Sequence, residues 1–514
     1  MTNSSILPRR FIVLAMVLPL AAIIGYLIAT PQDFDSVVLI CLVIFGLLLP
    51  VLLKHHHAIL ILVWNALLSL YFLPGSPNLW VIFSLLSFGI AVLERGLAKK
   101  EVFTFIPSLV WPLLMLSLVV IITLKLRGGM GVRSMGSASY GGKGYFFLLV
   151  AVLGYFALTS QRIEASKARF LIGGFFAAGT TAAMGNIIYM LGPLFYGLFN
   201  FFPVDFAVMQ VMGESSVIGS VSRIAGFAFG APSLIYVMLL LYGMRGIFTI
   251  AHPLRFIIFL FLVGFTFLGG FRSSLINLGL LFFILFFLEK LHRTRMVLYA
   301  SVALVISACL LIPFAKFLPS SIQRTLSVLP LAIDPIAKYD AQLSTEWRIE
   351  MWKIVLPEVP KYLLLGKGCA VDGTEMYLMH EAVRQGFYKN NEEAILVGGY
   401  HNGPLTLLVQ FGVFGAFAFL WFCVSTLKLL YRYYQNCEPA LKQINTFLLA
   451  YLITKLIYFF LVYGHFTEDF YMFVAVAGLA VSLNGKLTRT ANISTVAVAK
   501  PKGFAQTIGK PQLA

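Results

Sequence analysis

Four short stretches of the sequence carry a cation or an imidazole, and three of them lie beside the end of a long apolar run. Arg223 lies in "SRIAGFAFGAP", Arg272 in "GGFRSS", Arg348 in "EWRIEMW" and His401 in "HNGPLTLLVQFGVFG". Guanidinium groups stay charged and present a planar fork of donors that matches phosphate oxygens. A neutral imidazole can accept a proton from an attacking hydroxyl near pH 7. Together these stretches predict a site that binds a diphosphate and activates a hydroxyl.

Other polar residues next to these stretches are secondary candidates. Lys367, in a Gly-Lys-Gly turn, and Asn402 are predicted to bind substrate, and His465, Glu468 and Asp469 in "GHFTED" form a second acid/base candidate. Each candidate also has a structural interpretation. Interfacial cations commonly extend toward lipid headgroups, and a polar turn between two spans needs no catalytic role.

The elements that position these residues are predicted to be transmembrane helices. Hydrophobic residues make up 60% of the 514-residue chain and charged residues only 11%, with a mean hydropathy of +0.90. Continuous apolar runs without strand-like alternation indicate helices rather than a β-barrel. We predict an all-α polytopic membrane protein with about 14 transmembrane helices, centred near residues 20, 45, 65, 87, 115, 152, 180, 240, 262, 281, 306, 416, 454 and 475.

The distribution of basic residues predicts the orientation of these helices. With a cytoplasmic amino terminus, the predicted inner segments hold 22 of the 38 Lys and Arg residues, so both termini are expected in the cytoplasm. His55–His57 then form a short cytoplasmic turn between the spans near 45 and 65. The net charge of +17 is assigned to inner loops that face anionic membrane lipids, and nucleic acid is not an expected partner.

The longest predicted outer segment covers residues 318–403, which is 86 residues and far more than a connector needs. Loops of this length usually carry function or a small subdomain. It contains helix-like stretches, among them "TEWRIEMWKIVLPEVPKYLLLGKG". Residues 318–403 are therefore expected to contain helices and to contribute to the site.

The order of these motifs resembles the bacterial O-antigen ligase and O-antigen polymerase superfamily of integral-membrane glycosyltransferases. The similar region covers about residues 215–430 and is most specific where Arg-x-x-x-Trp is followed by a Pro, a Gly-x-Gly and a His-Asn before Gly-x-x-Gly. Ser233 departs from the pattern, because many relatives have Asn after the Pro. The basic, Gly-rich loop 125–144 matches nothing in the family. The resemblance rests on Arg223, Gly226, Pro232, Gly270, Arg272, Ser273, Ser274, Arg348, Trp352, Pro360, Gly366, Gly368, His401, Asn402, Leu405, Gly412 and Gly415.

This resemblance implies a GT-C-like fold and a metal-independent, inverting glycosyltransferase at the periplasmic face of the bacterial inner membrane. The implied donor is a glycan on undecaprenyl diphosphate, and the acceptor hydroxyl belongs to lipid A-core, another lipid-linked glycan or a protein. His401, Arg272 and Arg348 are the expected catalytic residues, and Arg223, Asn402 and Lys367 the expected substrate-binding residues. No DxD-like motif stands with these outer candidates, and we expect neither a metal nor a cofactor. Ligase and polymerase stay open at this point.

The predicted organisation has four parts, and one other class of function competes. The parts are transmembrane helices over 1–210, the ligase-like core over 211–430, the last transmembrane helices over 431–484 and a disordered cytoplasmic tail over 485–514. A flippase or exporter of lipid-linked oligosaccharide would also have many spans and an arginine-lined path. It predicts charges throughout the depth of the spans, whereas Lys455 is the only clearly intramembrane ionised residue. This distribution favours the enzyme.

Overall fold

The computed structural model of the chain describes residues 34–73, 75–98, 103–129, 139–215, 221–385 and 395–486, with the single positions 19, 21 and 25. Over these residues the protein is an all-α polytopic membrane protein, with eight helices long and apolar enough to cross a membrane and four shorter apolar helices. Apart from those single positions, the predicted span near residue 20 lies outside the described residues, and so do tail residues 487–514. The count of fourteen spans stays a prediction.

The helices and strands follow in chain order. The part before residue 216 contains α1 (Phe34–Val63), α2 (Leu79–Ala98), α3 (Pro107–Arg127), β1 (Ser139–Tyr140), α4 (Gly142–Leu158), α5 (Ala165–Ala177), α6 (Met184–Leu191) and α7 (Asp205–Ser215). The part after residue 220 contains α8 (Phe227–Ile247), α9 (Pro253–Leu268), α10 (Arg272–Leu288), α11 (Met296–Phe314), α12 (Ser320–Leu326), α13 (Pro335–Val355), α14 (Val359–Tyr362), β2 (Val371–Asp372), α15 (Gly373–Arg384), α16 (Gly403–Asn436), α17 (Lys442–Leu461) and α18 (Phe466–Asn484).

Helix α1 corrects the prediction of two spans near residues 45 and 65 with a turn at His55–His57 between them. It continues through all three histidines without a break. His56 and His57 are buried, and their rings pair with Ser87 Oγ and the Leu158 carbonyl oxygen, each at 2.7 Å. Because neighbouring helices satisfy these polar rings, the histidines do not require a solvated turn.

Aromatic side chains join the last three helices of the transmembrane core. The Phe419 ring of α16 contacts rings from both following helices, with centroids between 5.1 and 6.3 Å away. Close packing rather than transfer from water stabilises such contacts, because lipid tails are as apolar as the side chains. These contacts join α16, α17 and α18 at the end of the bundle where residues 318–403 lie, which we call the loop face.

The segment 318–403 folds over the loop face and is joined to the first half of the chain. It contains α12, α13, α14, β2 and α15. Strand β2 pairs antiparallel with β1, which belongs to the Gly-rich loop 125–144. Residues 130–138 of that loop lie outside the described residues. The loop without a counterpart in the motif pattern therefore supports the subdomain that carries Arg348.

Candidate active site

The first arginine is held by a polar network that leads into α8. The Asn186 side chain accepts a hydrogen bond from the Gly226 N–H at 2.7 Å and donates one to the Gln210 side chain at 2.8 Å. This fixes the backbone just after Arg223. The Nη2 atom of Arg223 lies 2.8 and 3.1 Å from the two carboxylate oxygens of Asp340 on α13.

The second arginine begins α10 directly after a tight turn. Gly270 has a φ of +71°, and a Cβ there would lie 3.0 Å from the Arg223 side chain, so the turn needs glycine. Arg272 donates from Nη2 to Thr345 Oγ1 of α13 at 2.7 Å. It also lies within electrostatic range of Arg348 and Arg223. The short turn therefore brings Arg272 to the same helix that Arg223 contacts.

Two charged residues that the sequence motifs do not include complete this group. The Arg324 side chain is 3% exposed and donates from Nε to Asp340 and from Nη1 to the Gly270 carbonyl. Burial and the nearby Arg223 lower the pKa of Arg324 to about 10, so it stays charged at neutral pH. Two features of the sequence could have pointed to these residues. Arg324 lies just beyond the apolar run of α11, and Asp340 lies two helical turns before Arg348 on the same helix.

Helix α13 carries the third arginine and connects the arginines to the histidine. The Nε atom of Arg348 is buried and has no hydrogen-bond partner among the described residues. One turn later, Trp352 donates from Nε1 to the Tyr400 carbonyl at 2.8 Å. Met351 and Leu405 are buried in one cluster that packs α13 against the start of α16. The Arg-x-x-x-Trp motif thus places a cation and anchors the residue before His401.

His401 occupies a strained and tightly packed position. Its φ of +52° lies in the left-handed region. This backbone conformation costs a residue other than glycine about 1 kcal/mol or more, and such strain is often found at functional sites. Its ring packs between Trp347 and Tyr463, each with a ring centroid 5.0 Å away. Its Nδ1 atom is buried without a hydrogen-bond partner in the described part of the chain. The packing therefore fixes the imidazole and leaves one of its nitrogens without a hydrogen bond among the described residues.

The electrostatic surroundings of His401 keep its ring neutral. Burial, the Arg348 cation and His465 lower the pKa of His401 to about 4. A neutral ring at pH 7 can act as a proton acceptor.

Two glycines allow the α17–α18 turn to approach His401. A Cβ at Gly403 would lie 2.5 Å from the Phe459 carbonyl oxygen, and a Cβ at Gly464 would lie 2.8 Å from the Gly403 Cα. Neither position has space for a side chain. This close approach brings Tyr463 against His401.

The Gly-Lys-Gly turn packs onto a break in α16. Lys367 donates its backbone N–H to the Val409 carbonyl at 2.7 Å, and Gly368 donates to Gln410 at 2.9 Å. Gly412 has a φ of +63° inside α16, which frees these carbonyl oxygens from the helix. The structure therefore explains the turn through its backbone, and among the described residues no hydrogen bond or ion pair joins the Lys367 side chain to the arginines or to His401.

The second acid/base candidate, at His465, Glu468 and Asp469, lies beside His401 but is in part more exposed. His465 is close enough for its charge to affect His401, and its ring nitrogen lies 3.5 Å from Glu468, which is 73% exposed. Asp469 accepts the His465 backbone N–H at 2.8 Å at the start of α18. It also lines a small cavity with Lys455. Asp469 therefore stabilises the start of α18, and its acid/base role stays a prediction.

Asn402 is the N-cap of α16, because its side chain accepts the Leu405 N–H at 3.1 Å. We expect Asn402→Ala to lower the free energy of unfolding by about 1 kcal/mol, whereas Asn402→Asp keeps the cap and stays close to wild type. Thermal unfolding and glycan transfer of the purified variants measure this. If Asn402→Asp lost transfer while remaining as stable as the wild type, Asn402 would bind substrate, as the sequence predicted.

Comparison with known families agrees with the motifs. Residues 256–420 match the family model described as O-antigen ligase, and they contain Arg272, Arg324, Asp340, Arg348 and His401. This match confirms the resemblance to the O-antigen ligase and polymerase superfamily and supports glycosyltransferase activity of that type. No curated protein gives a significant match to the chain.

Proposed function

We propose that the protein is an inverting, metal-independent glycosyltransferase that transfers a glycan from undecaprenyl diphosphate to an acceptor hydroxyl, as an O-antigen ligase or polymerase. The loop face is then the periplasmic face of the bacterial inner membrane. One observation carries this proposal: among the described residues, the buried Arg348 Nε and His401 Nδ1 atoms both lack a hydrogen-bond partner, within a cluster of four arginines from four segments. Buried polar groups are normally paired, so two such atoms suggest a ligand that is both anionic and hydroxylic.

The arginines stabilise the leaving group. As the bond between the anomeric carbon and the diphosphate oxygen breaks, its electron pair leaves with undecaprenyl diphosphate, and negative charge grows on the bridging oxygen. Arg272 on α10 and Arg348 on α13 supply N–H donors that the helices already hold in place. Little reorganisation is therefore needed as that charge develops. Arg348 has the free donor, and Arg272 uses one of its five N–H donors on Thr345.

His401 handles the acceptor. The acceptor oxygen forms its bond to the anomeric carbon from the face opposite the diphosphate, and its proton passes to the free imidazole nitrogen. This single displacement inverts the anomeric configuration. Trp347 and Tyr463 hold the ring, so the base does not have to be oriented during the reaction.

The low pKa of His401 predicts an unusual acid limb in the pH profile. Because a base acts when deprotonated, kcat/KM for transfer should stay flat from pH 7 to about pH 5 and fall as the pH drops through about 4, the pKa of the free enzyme. In Arg348→Gln the cation is removed, so the acid limb of the residual activity should move to higher pH. An acid limb near the ordinary histidine value in wild type, unmoved in this variant, would remove His401 from the role of base.

Reconstitution tests the proposal directly. The purified protein in detergent, with undecaprenyl-diphosphate-linked glycan and an acceptor, should release undecaprenyl diphosphate in proportion to the glycan transferred. In a deletion strain, loss of all attached long chains with accumulated lipid-linked polymer indicates a ligase, and a single attached repeat indicates a polymerase. Absence of transfer to lipid A-core, lipid-linked glycan and protein acceptors alike would contradict the proposal.

The flippase or exporter remains the alternative because two ionisable residues lie within the bundle. Lys455 and Asp469 line one cavity between α17 and α18. Lys455 lies in the last two turns of α17 and Asp469 in the first turn of α18, so both are near the loop face. Neither extends a charged path to the opposite face, and this favours the enzyme. An exporter would move the donor across vesicles without releasing undecaprenyl diphosphate.

A further inference from the structure

We propose that Asp340, acting with Arg324, is a positioning residue that sets the geometry of the diphosphate-binding arginines. This inference rests on the proposed function, and it assigns roles to two residues that the motifs do not include. Neither is expected to contact the donor in the way that Arg272 and Arg348 do.

The Asp340 carboxylate joins separate segments of the chain. It accepts hydrogen bonds from Arg223, which precedes α8, and from Arg324 on α12, while it is itself part of α13. The Asp340 side chain is only 12% exposed, so these charge-assisted bonds are poorly screened by solvent. One carboxylate therefore fixes α12 and α13 relative to each other and to the segment before α8, which lies 117 residues away in sequence.

Arg324 extends this connection to the turn before Arg272. Its Nη1 donates to the Gly270 carbonyl, and Gly270 is the left-handed residue two positions before α10 begins. The far end of the same path is Thr345 on α13, which accepts from Arg272. The path from Asp340 through Arg324, Gly270 and Arg272 therefore returns to the helix that carries Arg348.

This closed path divides the four arginines into two classes. Arg223 and Arg324 spend donors on Asp340, whereas Arg272 and Arg348 make no ion pair with an acidic residue in the described part of the chain. The first pair organises the site, and the second pair is available to phosphate oxygens. A misplacement of a catalytic group by about 1 Å can lower the rate about 100-fold. The contacts of Asp340 and Arg324 that hold Arg272 and Arg348 in place therefore matter for catalysis.

The test separates positioning from plain stability. Asp340→Asn leaves Arg324 as a buried cation without its counterion and is expected to destabilise the protein. The double variant Asp340→Asn with Arg324→Met removes both charges and should recover folding, because a buried ion pair can be replaced by neutral groups. In this folded double variant we expect kcat for transfer to fall by about 10- to 100-fold, with the donor KM changed by less than about threefold, because Arg272 and Arg348 keep their charges.

Arg324→Lys isolates the connection to the Gly270 turn. A lysine keeps the charge beside Asp340 but has one nitrogen in place of the guanidinium fork, so it cannot serve both acceptors in the same geometry. We expect this variant to fold, with a kcat reduced by about tenfold. Lys361→Gln is the matched control, because it breaks an exposed ion pair with Glu358 in the same subdomain and should leave kcat unchanged.

The outcomes are distinct. A double variant with a normal thermal midpoint and a wild-type kcat would overturn the positioning role and leave an ordinary buried ion pair. A rise in donor KM at constant kcat would also contradict it, since the two residues would then contribute to binding alone. If His401→Ala kept full transfer in the same assay, the proposed function itself would fail, whatever the result for Asp340.

Discussion

Replacing His401 by alanine is expected to lower glycan transfer by about 10²- to 10⁴-fold, the usual contribution of a general base. The variant should still fold, because the Asn402 side chain caps α16 and Trp352 anchors Tyr400 without help from the imidazole. Donor binding should change little, since Arg272 and Arg348 are retained. The measurement is single-turnover transfer by the purified variant, together with binding of lipid-linked donor.

Two comparisons make this result specific. A glutamine at 401 offers hydrogen-bonding groups without a basic nitrogen, so His401→Gln should be about as inactive as His401→Ala. The control is Lys361→Gln, which breaks an exposed ion pair and should keep transfer close to wild type. Near-normal transfer by His401→Ala would mean that His401 is an interfacial hydrogen-bonding residue and not the base. If His401→Ala instead lost donor binding together with transfer, the ring would belong to the diphosphate site.

Arg348→Lys is expected to reduce transfer by about tenfold or more, if the lost contact is worth above about 1.4 kcal/mol in the transition state. Lysine preserves the charge but not the planar fork, and it has no equivalent of the buried, unpartnered Nε atom. Arg272→Lys should behave similarly, because one ammonium group cannot keep the bond to Thr345 and also replace the fork. Steady-state kinetics of transfer measure both variants.

Arg223→Lys provides the comparison within the same cluster. Arg223 uses a single nitrogen, Nη2, for both contacts with Asp340, and a lysine can maintain that ion pair. We therefore expect it to be the most tolerant of the three arginine positions. Full activity in both Arg272→Lys and Arg348→Lys would show that positive charge alone suffices. Arg223→Lys as the most damaging of the three would reverse the proposed division between organising and binding arginines.

The sequence predicted the parts of the site that depend on local pattern. Apolar runs placed helices at most of the expected centres, and residue type selected Arg223, Arg272, Arg348 and His401, which the structure brings together. The helices could be predicted because the hydrocarbon core of a membrane offers the backbone no hydrogen-bond partner, so the chain must form helices there. The residues could be selected because few side chain types can bind phosphate or accept a proton near neutral pH. The roles of the four residues stay predictions.

The remainder depends on contacts between distant segments. No local pattern shows that Arg324 and Asp340 meet, because their partners include the carbonyl of Gly270, 54 residues away from Arg324. The histidines of α1 were misjudged for the same reason, since their buried partners come from α2 and α4. The structure shows that the Asn402 side chain caps α16, and its predicted binding of substrate stays a prediction.

The pairing of β1 with β2 bears on which part of the chain can be separated as a unit. Residues 256–420 match the ligase family, yet the Gly-Lys-Gly turn within them is held from outside that range. Thr123 and Arg127 donate to the carbonyls of Leu365 and Gly366 at 2.9 and 3.0 Å, and the Tyr145 hydroxyl accepts the Cys369 N–H at 2.8 Å. The matched region is therefore packed against, and hydrogen-bonded to, helices that lie outside it. We therefore expect that a functional exchange of the segment 318–403 between relatives also requires the helices before residue 159.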